Sequence, residues 1–574
     1  MFCQGLTLHP GRSALIHRVL PIFRSPAQLS LNSAFLLPHP SKTAVLEMLA
    51  YGLQGEWGPT FPPPNRPAAN YLGTTAARRK CRLRFQSEVA AGRMVGGPGW
   101  TADAVRWFLN GDFFITPCGA VPKGDDPHGR IVHNYSYEFE GISINSVLLD
   151  NSVQYISFKA RVELLSQVSW YFKVDLKNGY RQVPVNPKDW HTQVYSLGPG
   201  EFYVDLAMPF GKANSSKKFC AWTDLWFSSF VHHFRRTVPF YSVLGSYVDD
   251  AFGGTNYQAH TQTMMGTLQI VGRATATEIN PAKSRGPATK LVILGLSYCS
   301  GTRFCRLGDA KRAKYMALIQ LVISAPKTTS KRLEQLAGNL SFAAWVEPFC
   351  RPLLSSVFSL VVQDKPTTQI VIPPFTQTAL RIWHRVLRRN RGLSFQYIRN
   401  KYPAVSTPIF VDASTSWGIG GVHGHEYFSF PHSDLQPFIC QSPGWESYPQ
   451  VPVARLELLA ALAAVQLFGH RYPKHLIVLY SDNTNVVAWL GTRRSPDPII
   501  CTLVAAIEQI KYQYSSKLSV RFIPSSRNRS ADRLSRNRVP AWLRCRGSAL
   551  IPRMNELAFA SNRHNLLTLW SSCG

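Results

Sequence analysis

Acidic residues are scarce in this chain, and long apolar runs and cysteine pairs are missing from it. Its 574 residues hold 33 Asp and Glu against 63 Lys and Arg, which gives a formal net charge of +30. A field of this sign attracts polyanions, nucleic acid above all, with an affinity that falls as salt is added. No apolar run approaches the roughly 20 residues of a membrane-spanning helix, so a membrane location is disfavoured.

The 11 cysteines are isolated, with no Cys-x-x-Cys pair and no histidine at a zinc-binding spacing. We therefore expect neither a disulfide framework nor a zinc knuckle, and a reducing compartment, the cytoplasm or the nucleus, fits. The stretch before Glu47 has no acidic residue, a composition shared with mitochondrial transit peptides. We interpret this stretch as a poorly ordered extension, or as the remainder of a longer polyprotein, in preference to a mitochondrial targeting signal.

Two neighbouring aspartates, Asp249 and Asp250, give the first indication of chemistry. They lie between an apolar run ending at Leu244 and the Gly253-Gly254 break, which is the setting of a β-hairpin tip. Adjacent side chains in a regular strand face opposite ways, so the pair serves one site only where a turn re-aims it. For this string alone, a solvated acidic turn is the alternative.

A third carboxylate, Asp175, ends the aromatic and β-branched segment that starts at Trp170. Alone it is typical of a turn or cap. Grouped with Asp249 and Asp250 it predicts a cluster that repels itself unless hard cations such as Mg²⁺ neutralise it. Two such ions can activate an attacking 3′-hydroxyl and stabilise a leaving pyrophosphate, so the cluster points to nucleotide transfer.

Three apolar, strand-like runs further along the chain each lead to an acidic residue. The runs start at Pro408, His475 and Leu518, and the acidic residues are Asp412, Asp482 and Asp532. Between the first two, Glu457 lies in a helical segment that is apolar almost all round, so its carboxylate needs a cation or a donor. Pairing with Arg455 or another basic group is the alternative to a metal site.

Further segments, in the same order along the chain, resemble the motifs of reverse transcriptases. They are Val121–Arg130 (fingers), Val174–Val185 (first catalytic motif), Met208–Gly211 (template grip), and Asn280–Lys283 with Leu294-Gly295 (the motifs after the aspartate pair). The resemblance implies that Lys123 and Arg130 hold the incoming triphosphate, as fixed cations suit phosphate charge. It also implies that Tyr180 is a steric gate against a ribose 2′-hydroxyl, and it adds Phe210 and Gly211 to the nucleotide site.

The order Asp412, Glu457, Asp482, Asp532 resembles the ribonuclease H family, which implies four carboxylates around two Mg²⁺ ions. Other strings resemble the DIRS-type, tyrosine-recombinase retrotransposons, although long-terminal-repeat and hepadnavirus-like polymerases share the same pairing of domains. These strings are Ala90–Gly96, Ile142–Asn145, Gln335–Leu340 and Asn528–Arg536. The chain lacks an Asp-Thr/Ser-Gly protease signature and a zinc-binding integrase head, so the resemblance implies the polymerase and ribonuclease H portion alone.

The chain also departs from the family pattern. Lys212 follows Pro-Phe-Gly where an apolar residue is usual, and Ser215-Ser216 replaces Ala-Pro, which predicts an altered template contact. Pro524-Ser525-Ser526 replaces the usual Pro-Gly, and no histidine lies near Asp532. All seven metal-binding carboxylates nevertheless remain.

The predicted organisation is an α+β multi-domain chain, with a right-hand polymerase of fingers, palm and thumb followed by an α/β ribonuclease H-like domain. We assign residues 1–70 to an N-terminal extension with a Pro-rich linker, 71–300 to fingers and palm, 301–400 to thumb and connection helices, 401–540 to the ribonuclease H-like domain, and 541–574 to a basic tail. Within the connection, Arg381, Arg385, Arg388, Arg389 and Arg391 crowd a predicted helix that carries Trp383. That helix presents either a solvated face or a track for a hybrid duplex.

The predicted function is RNA-directed DNA synthesis combined with cleavage of the RNA strand of the hybrid. The expected cofactor is Mg²⁺, or Mn²⁺, with two ions per active site. The expected partners are an RNA template, a DNA primer, the RNA/DNA hybrid and deoxynucleoside triphosphates. Two alternatives stay open: a degenerate or domesticated copy that binds RNA or hybrid without turnover, and a ribonuclease with an inactive polymerase module.

Overall fold

The computed structural model describes residues 23–58, 70–71, 75–121, 130–149, 152–362, 365–399, 402–439 and 453–544. The chain divides into two compact units, Met1–Leu294 and Gly295–Gly574. Both units mix helices with sheets, which confirms the mixed α and β character that the sequence predicts.

The first unit contains seven helices among its described residues, which are α1 Pro26–Phe35, α2 Lys42–Tyr51, α3 Thr75–Ala90, α4 Ala102–Leu109, α5 Phe158–Leu165, α6 Ala213–Thr237 and α7 Gln258–Ala274. Its strands are β1 Met94–Pro98, β2 Cys118–Val121, β3 Arg130–His133, β4 Trp170–Asp175, β5 Val194–Gly198, β6 Glu201–Asp205, β7 Ser242–Tyr247, β8 Asp250–Thr255, β9 Arg285–Ala288 and β10 Lys290–Ile293. Short 3₁₀ turns cover Gly179–Gln182 and Pro187–Thr192.

An antiparallel sheet in the order β7-β8-β4-β9 forms the centre of this unit. Its strands include many aromatic and β-branched residues, which suit a half-buried pleated surface. Phe172 and Val174 of β4 are buried in one core with Trp222 and Trp226 of the long helix α6. This packing fixes the sheet that carries the hairpin tip.

Helices α1 and α2 belong to the same core. Ser25 and Gln28 form a reciprocal capping box at the start of α1, which satisfies backbone donors that the helix leaves open. Met48 and Leu49 of α2 are buried in the core cluster that contains the sheet. The described part of the N-terminal region is thus integral to the first unit.

The second unit contains eleven helices among its described residues, which are α8 Asp309–Ser324, α9 Ser330–Ala343, α10 Ser355–Phe358, α11 Pro374–Arg389, α12 Phe395–Arg399, α13 His432–Ile439, α14 Val453–Phe468, α15 Thr484–Thr492, α16 Pro498–Gln513, α17 Arg529–Leu534 and α18 Ala541–Arg544. Its strands are β11 Leu296–Cys299, β12 Phe304–Leu307, β13 Thr328–Thr329, β14 Gln369–Ile370, β15 Leu393–Ser394, β16 Ile409–Ala413, β17 Gly418–His423, β18 Glu426–Pro431, β19 Leu476–Ser481 and β20 Lys517–Phe522. Its 3₁₀ turns cover Pro348–Leu354, Gly469–Arg471 and Ser525–Arg527.

A five-stranded sheet in the order β18-β17-β16-β19-β20 carries the C-terminal half of this unit. Strands β16, β19 and β20 run parallel, while β17 is antiparallel to both β16 and β18. Parallel strands end at the same edge of a sheet, so side chains at the ends of β16 and β19 are brought together there.

The stretch Val453–Arg471, which includes α14, is long and apolar enough by length and composition to cross a membrane, and it is the one such helix among the described residues. The prediction that no run approaches this length is therefore wrong. Because 72% of its most apolar window is buried inside the protein, the helix serves as a core helix of the second unit.

Candidate active sites

The tip of the β7–β8 hairpin re-aims two neighbouring aspartates. Tyr247 pairs with Asp250 across the strands, which leaves Val248 and Asp249 as a two-residue turn. Val248 has φ 58°, a left-handed conformation that β-branched residues rarely adopt and that costs on the order of 1–3 kcal/mol. Backbone strain of this kind persists only where the surrounding structure holds it, and it often marks a functional turn.

Asp175 lies opposite this tip, and Asp175, Asp249 and Asp250 are called the hairpin site below. The Cα of Asp175 pairs in register with that of Asp250, and the Leu176 amide donates a hydrogen bond of 2.9 Å to the Asp249 carbonyl. Gly179, at φ 42°, approaches the Asp249 side chain so closely that an added Cβ would lie 3.4 Å from its Oδ2. The structure therefore brings the three aspartates to one end of the sheet.

Like charges face one another in the hairpin site. Burial, followed by the charges of Asp249 and Asp175, raises the pKa of Asp250 to about 6. The Lys283 ammonium donates to Asp175 Oδ2 at 3.0 Å, a contact that the sequence does not predict. Among the described residues, the three aspartates do not bring one oxygen each within 4.8 Å of one another. Lys283 offsets part of the repulsion that a bound cation would otherwise relieve.

Tyr180 lies beside this site in the 3₁₀ turn Gly179–Gln182. Its hydroxyl donates to Ser216 Oγ at 2.9 Å, and its ring centroid lies 4.8 Å from that of Phe210 and 4.4 Å from that of Phe219. Burial raises the pKa of the phenol to about 12, so the hydroxyl stays neutral. Ser216, which the sequence marks only as a departure from the family pattern, orients the hydroxyl of the predicted gate.

A buried arginine next to Tyr180 ties this turn to two other elements. Arg181 donates to Asp205 Oδ2, at the end of β6, at 2.7 Å and to Glu88 Oε2 of α3 at 3.0 Å. The two carboxylates compensate the buried guanidinium, and its pKa is raised accordingly. The sequence does not predict this pairing.

A second buried arginine, Arg24, holds the same turn from the N-terminal region. It donates to the Gln182 carbonyl at 2.8 Å and to the Ala276 carbonyl at 3.0 Å. Its guanidinium lies 4.8 Å from the Trp222 ring centroid, and the side chain is 2% exposed. The described part of the N-terminal region thus supports the turn that carries Tyr180.

We expect Arg24→Met to destabilise the first unit by about 2 kcal/mol, because two partly buried carbonyls would lose their donor. Thermal unfolding measures this loss as a lower melting temperature. Arg79→Met, on the exposed face of α3, removes the same charge and should leave the melting temperature unchanged. Equal melting of the two variants would contradict the prediction.

Phe210 and Gly211 follow one another next to Tyr180. The Phe210 side chain is half exposed beside the predicted gate. Gly211 has φ 95° and no room for a side chain, since a Cβ would lie 2.8 Å from the His133 carbonyl. Both residues therefore lie beside the predicted gate, and their place in a nucleotide site stays a prediction.

Lys212 is buried in the first unit. It is 2% exposed, and its ammonium donates to Thr192 Oγ1 at 3.1 Å. The altered template contact that the sequence suggests around Lys212 stays a prediction.

The two predicted triphosphate ligands cannot be placed with the others. Lys123 lies outside the described residues. The backbone of Arg130 starts β3, and its side chain is outside the described part of the chain. The prediction that these residues hold a triphosphate stays a prediction.

Three carboxylates converge in the second unit, and Asp412, Glu457 and Asp482 are called the strand-end site below. One oxygen from each lies within 4.8 Å of the others. Asp412 is in β16 and Asp482 directly follows β19, and the parallel register of those strands places them side by side. Glu457 belongs to α14, in which it is buried among apolar residues.

Burial and mutual repulsion perturb two acids of the strand-end site. Burial first, then the charges of Asp412 and Asp482, raises the pKa of Glu457 to about 9. Burial also raises the pKa of Asp412 to about 7, and Asp482 adds to the rise. Glu457 Oε2 is buried with no hydrogen-bond partner among the described residues. Such an acceptor is unfavourable unless a proton or a cation reaches it.

The alternative partner of Glu457 is engaged elsewhere. Arg455 Nε donates to Asp497 Oδ2 at 2.7 Å, and Asp497 in turn caps the start of α16. The pKa of Glu457 responds to the neighbouring aspartates rather than to an arginine. The Glu457 carboxylate is therefore part of the strand-end site and is not the partner of Arg455.

Asp532 lies next to the strand-end site. Arg536, one helical turn on, donates to Asp532 Oδ1 at 3.0 Å, and Asp532 is not one of the three acids that converge. Ser535 links the two parts, because its Oγ donates to Asp412 Oδ2 at 2.5 Å and contacts the Asp532 carbonyl at 2.8 Å. The structure thus gathers three of the four predicted carboxylates and connects the fourth through one serine.

The chain is similar to solved structures of a foamy viral protease-reverse transcriptase. A dRH form with double-stranded DNA has TM-score 0.46 and 14% identity over 90% of this chain and 83% of that one. The complex with RNA/DNA hybrid has TM-score 0.45 and 15% identity over 90% and 64%, and a complex with double-stranded DNA has 0.44 and 16% over 91% and 99%. No family model and no curated protein matches the chain.

The arginine-rich helix predicted from the sequence is α11. Trp383 is fully buried within it, whereas Arg381, Arg388 and Arg389 are exposed, and Arg391 lies just beyond its end. The buried tryptophan anchors the helix and leaves a basic face outward. This arrangement agrees with both interpretations of the pattern, the solvated face and the nucleic-acid track.

Proposed function

We propose that the chain is an RNA-directed DNA polymerase with ribonuclease H activity, which copies a retroelement RNA and degrades the RNA strand of the hybrid. In this proposal the first unit supplies fingers and palm, and the second supplies thumb, connection and ribonuclease H-like parts. The element would be of the DIRS type, and the working compartment would be the cytoplasm or the nucleus.

One observation carries the proposal: a single chain holds two separate carboxylate groups at strand ends, and each contains an acid with a raised pKa. Buried structural acids are normally paired with a cation, as Glu88 is with Arg181. Acids that face one another instead are typical of functional sites. Two such groups suit two phosphodiester reactions.

In the strand-end site the three converging carboxylates fit Mg²⁺ as they are placed, whereas the hairpin site fits it by the type of its donors, with Lys283 on Asp175. The donor sets consist of carboxylate oxygens, which hard cations prefer, and the unpartnered Glu457 Oε2 is an acceptor that a cation would satisfy. When bound, the ions would polarise phosphate oxygens and activate the attacking hydroxyl or water. We assign this role to Asp175, Asp249 and Asp250 in synthesis, and to Asp412, Glu457, Asp482 and Asp532 in cleavage.

The other predicted residues would handle the nucleotide. Lys123 and Arg130 would hold its triphosphate by charge-assisted hydrogen bonds. Tyr180, whose ring packs against Phe210 and Phe219, would present a rigid surface to the sugar and exclude a 2′-hydroxyl by its bulk. Phe210 and Gly211 would complete the wall of the nucleotide site.

We expect Tyr180→Ala to reduce the preference for deoxyribonucleotides about tenfold or more, since removing the ring opens space for a 2′-hydroxyl. The ratio of kcat/KM for dATP and ATP measures this preference. Tyr180→Phe is the matched control, because it keeps the ring and loses only the hydrogen bond to Ser216. If Tyr180→Ala keeps the wild-type preference for deoxyribonucleotides, Tyr180 is not the steric gate.

The test of the function is magnesium-dependent extension of a DNA primer on an RNA template, with cleavage of the hybrid followed in the same reaction. Both activities are expected from the wild type. A folded protein that binds the hybrid and shows neither activity would support the domesticated, non-catalytic alternative. Cleavage without extension would support the ribonuclease with an inactive polymerase module.

A further inference from the structure

A cavity of about 600 Å³ opens in the second unit, and no residue of the strand-end site lines it. Its walls come from β12, from the 3₁₀ turn Pro348–Leu354 and the residue before it, from the end of α11, and from α16. Among the lining side chains are three arginines, Arg306, Arg389 and Arg391. The volume lies within the roughly 300–1,000 Å³ typical of small-molecule sites.

The frame of the cavity is preformed by a loop bonded to β12. Asn390, at φ 43°, accepts from the Leu307 amide at 3.2 Å and donates to the Leu307 carbonyl at 3.0 Å. Gly392, at φ 70°, approaches β12 so closely that a Cβ would lie 2.2 Å from the Cys305 carbonyl. The side chains of this loop are thus carried on a backbone with little freedom to move.

An acid and an aromatic wall lie inside the cavity. Glu347 is 1% exposed, and its Oε1 accepts from the Gly392 amide at 2.9 Å. Phe349 and Tyr512 stack on each other with ring centroids 5.8 Å apart and planes at 23°. Burial raises the pKa of Glu347 to about 7, so near neutral pH the acid cancels only part of the charge of one arginine.

The arginines lie around these groups at different depths. Arg306 is half-buried; its Nε donates to the Arg391 carbonyl at 3.1 Å, and its guanidinium lies 5.0 Å from the Phe304 ring centroid. Arg389 and Arg391 are exposed at the mouth. An anionic group is therefore favoured at the mouth, and a flat group with a hydrogen-bond donor is favoured inside.

We propose that this cavity binds one nucleotide, with its phosphate against Arg389 and Arg391, its base against the Phe349–Tyr512 wall, and a base amino group directed to Glu347. Phosphate alone would leave most of the volume and the aromatic wall unused. Stacking on aromatic rings beside arginines is the general mode by which proteins hold unpaired bases. The nucleotide is either free in solution or an unpaired residue of a nucleic-acid strand.

The experiment measures binding to the full chain by calorimetry in EDTA, so that neither carboxylate site holds a nucleotide through magnesium. The probes are GMP, UMP, inorganic phosphate, and an unpaired oligonucleotide with a 5′-phosphate. The variant Arg389→Gln/Arg391→Gln removes the mouth charges. Arg351→Gln/Arg399→Gln is the matched control, since it removes two exposed arginines that neither line the cavity nor belong to the arginine-rich helix.

We expect GMP to bind the wild type and the control alike, and to bind the mouth variant about tenfold more weakly, because charge-assisted hydrogen bonds are lost. If only the oligonucleotide binds, and only the mouth variant weakens it, the site takes a strand residue. Phosphate or UMP binding as tightly as GMP would overturn the proposal. Equal weakening in the mouth variant and the control, or no binding of any probe, would overturn it too. The test uses binding alone, so failure of either catalytic activity leaves it intact.

Discussion

Asp249→Asn is expected to lower primer extension by about a thousandfold or more and to leave hybrid cleavage unchanged. Asp249 lies in the strained turn beside Val248 and contacts Gly179, so its carboxylate is aimed by backbone that has little other freedom. Asparagine keeps the shape and removes the charge that would bind a cation, and electrostatic stabilisation commonly contributes most to catalysis. Primer extension with dTTP on an RNA template measures the loss.

Asp112→Asn is the matched control for this change, because Asp112 is a largely exposed acid of the same unit. Its extension rate should equal that of the wild type. If Asp249→Asn extends the primer at more than about a tenth of the wild-type rate, Asp249 does not bind the catalytic metal. The proposed role of the hairpin site would then be contradicted at its central residue.

Glu457→Gln is expected to abolish hybrid cleavage and, at the same time, to stabilise the magnesium-free protein by about 1–3 kcal/mol at pH 8. A single substitution that abolishes an activity and also stabilises the fold is unusual. Here both effects follow from the environment of Glu457. This carboxyl is buried beside Asp412 and Asp482, and its Oε2 has no partner among the described residues. Glutamine removes the acid that the folded protein is forced to keep protonated.

The pH dependence of this gain has a definite sign. The pKa of Glu457 is about 9 in the folded protein, against about 4.3 for a glutamate in an unfolded chain. Between these values the unfolded state binds fewer protons, so the stability of the magnesium-free wild type falls as pH rises. The advantage of Glu457→Gln should therefore grow from pH 5 to pH 9.

Thermal unfolding in EDTA across this pH range checks the prediction, with Glu334→Gln, an exposed acid of α9, as the control. Magnesium should raise the melting temperature of the wild type more at pH 8 than at pH 6, because protons must leave as the ion binds. It should raise that of Glu457→Gln little at either pH. A variant less stable than the wild type at pH 8 in EDTA would contradict the proposed environment of Glu457.

The strand ends that carry the acids are readable from the sequence because they combine two local signals. Asp175 and Asp412 each lie at or next to the end of an apolar strand, and Asp249 and Asp250 lie at the tip of the β7–β8 hairpin, as the local pattern predicts. Glu457 is recognisable for the opposite reason, as a charge in a helix with no polar face to hold it. Each of these signals can be recognised from residues that are neighbours in the sequence.

The supports of the sites cannot be found in this way, because their partners are distant along the chain. Arg24 reaches Gln182 and Ala276, and nothing in the sequence around it marks a buried arginine. Lys283 is recognisable only as part of a motif, although it pairs with Asp175. Contacts of this kind depend on the tertiary fold, and local pattern carries no information about them.

The most direct test for two independent sites follows both activities in one reaction on one substrate. A DNA primer annealed to an end-labelled RNA template is incubated with magnesium, dTTP and the wild type, Asp249→Asn or Asp482→Asn, and primer length and RNA length are read together. We expect Asp249→Asn to shorten the RNA without extending the primer, and Asp482→Asn to extend the primer without shortening the RNA. Loss of both activities in either folded single variant would contradict the existence of two independent sites.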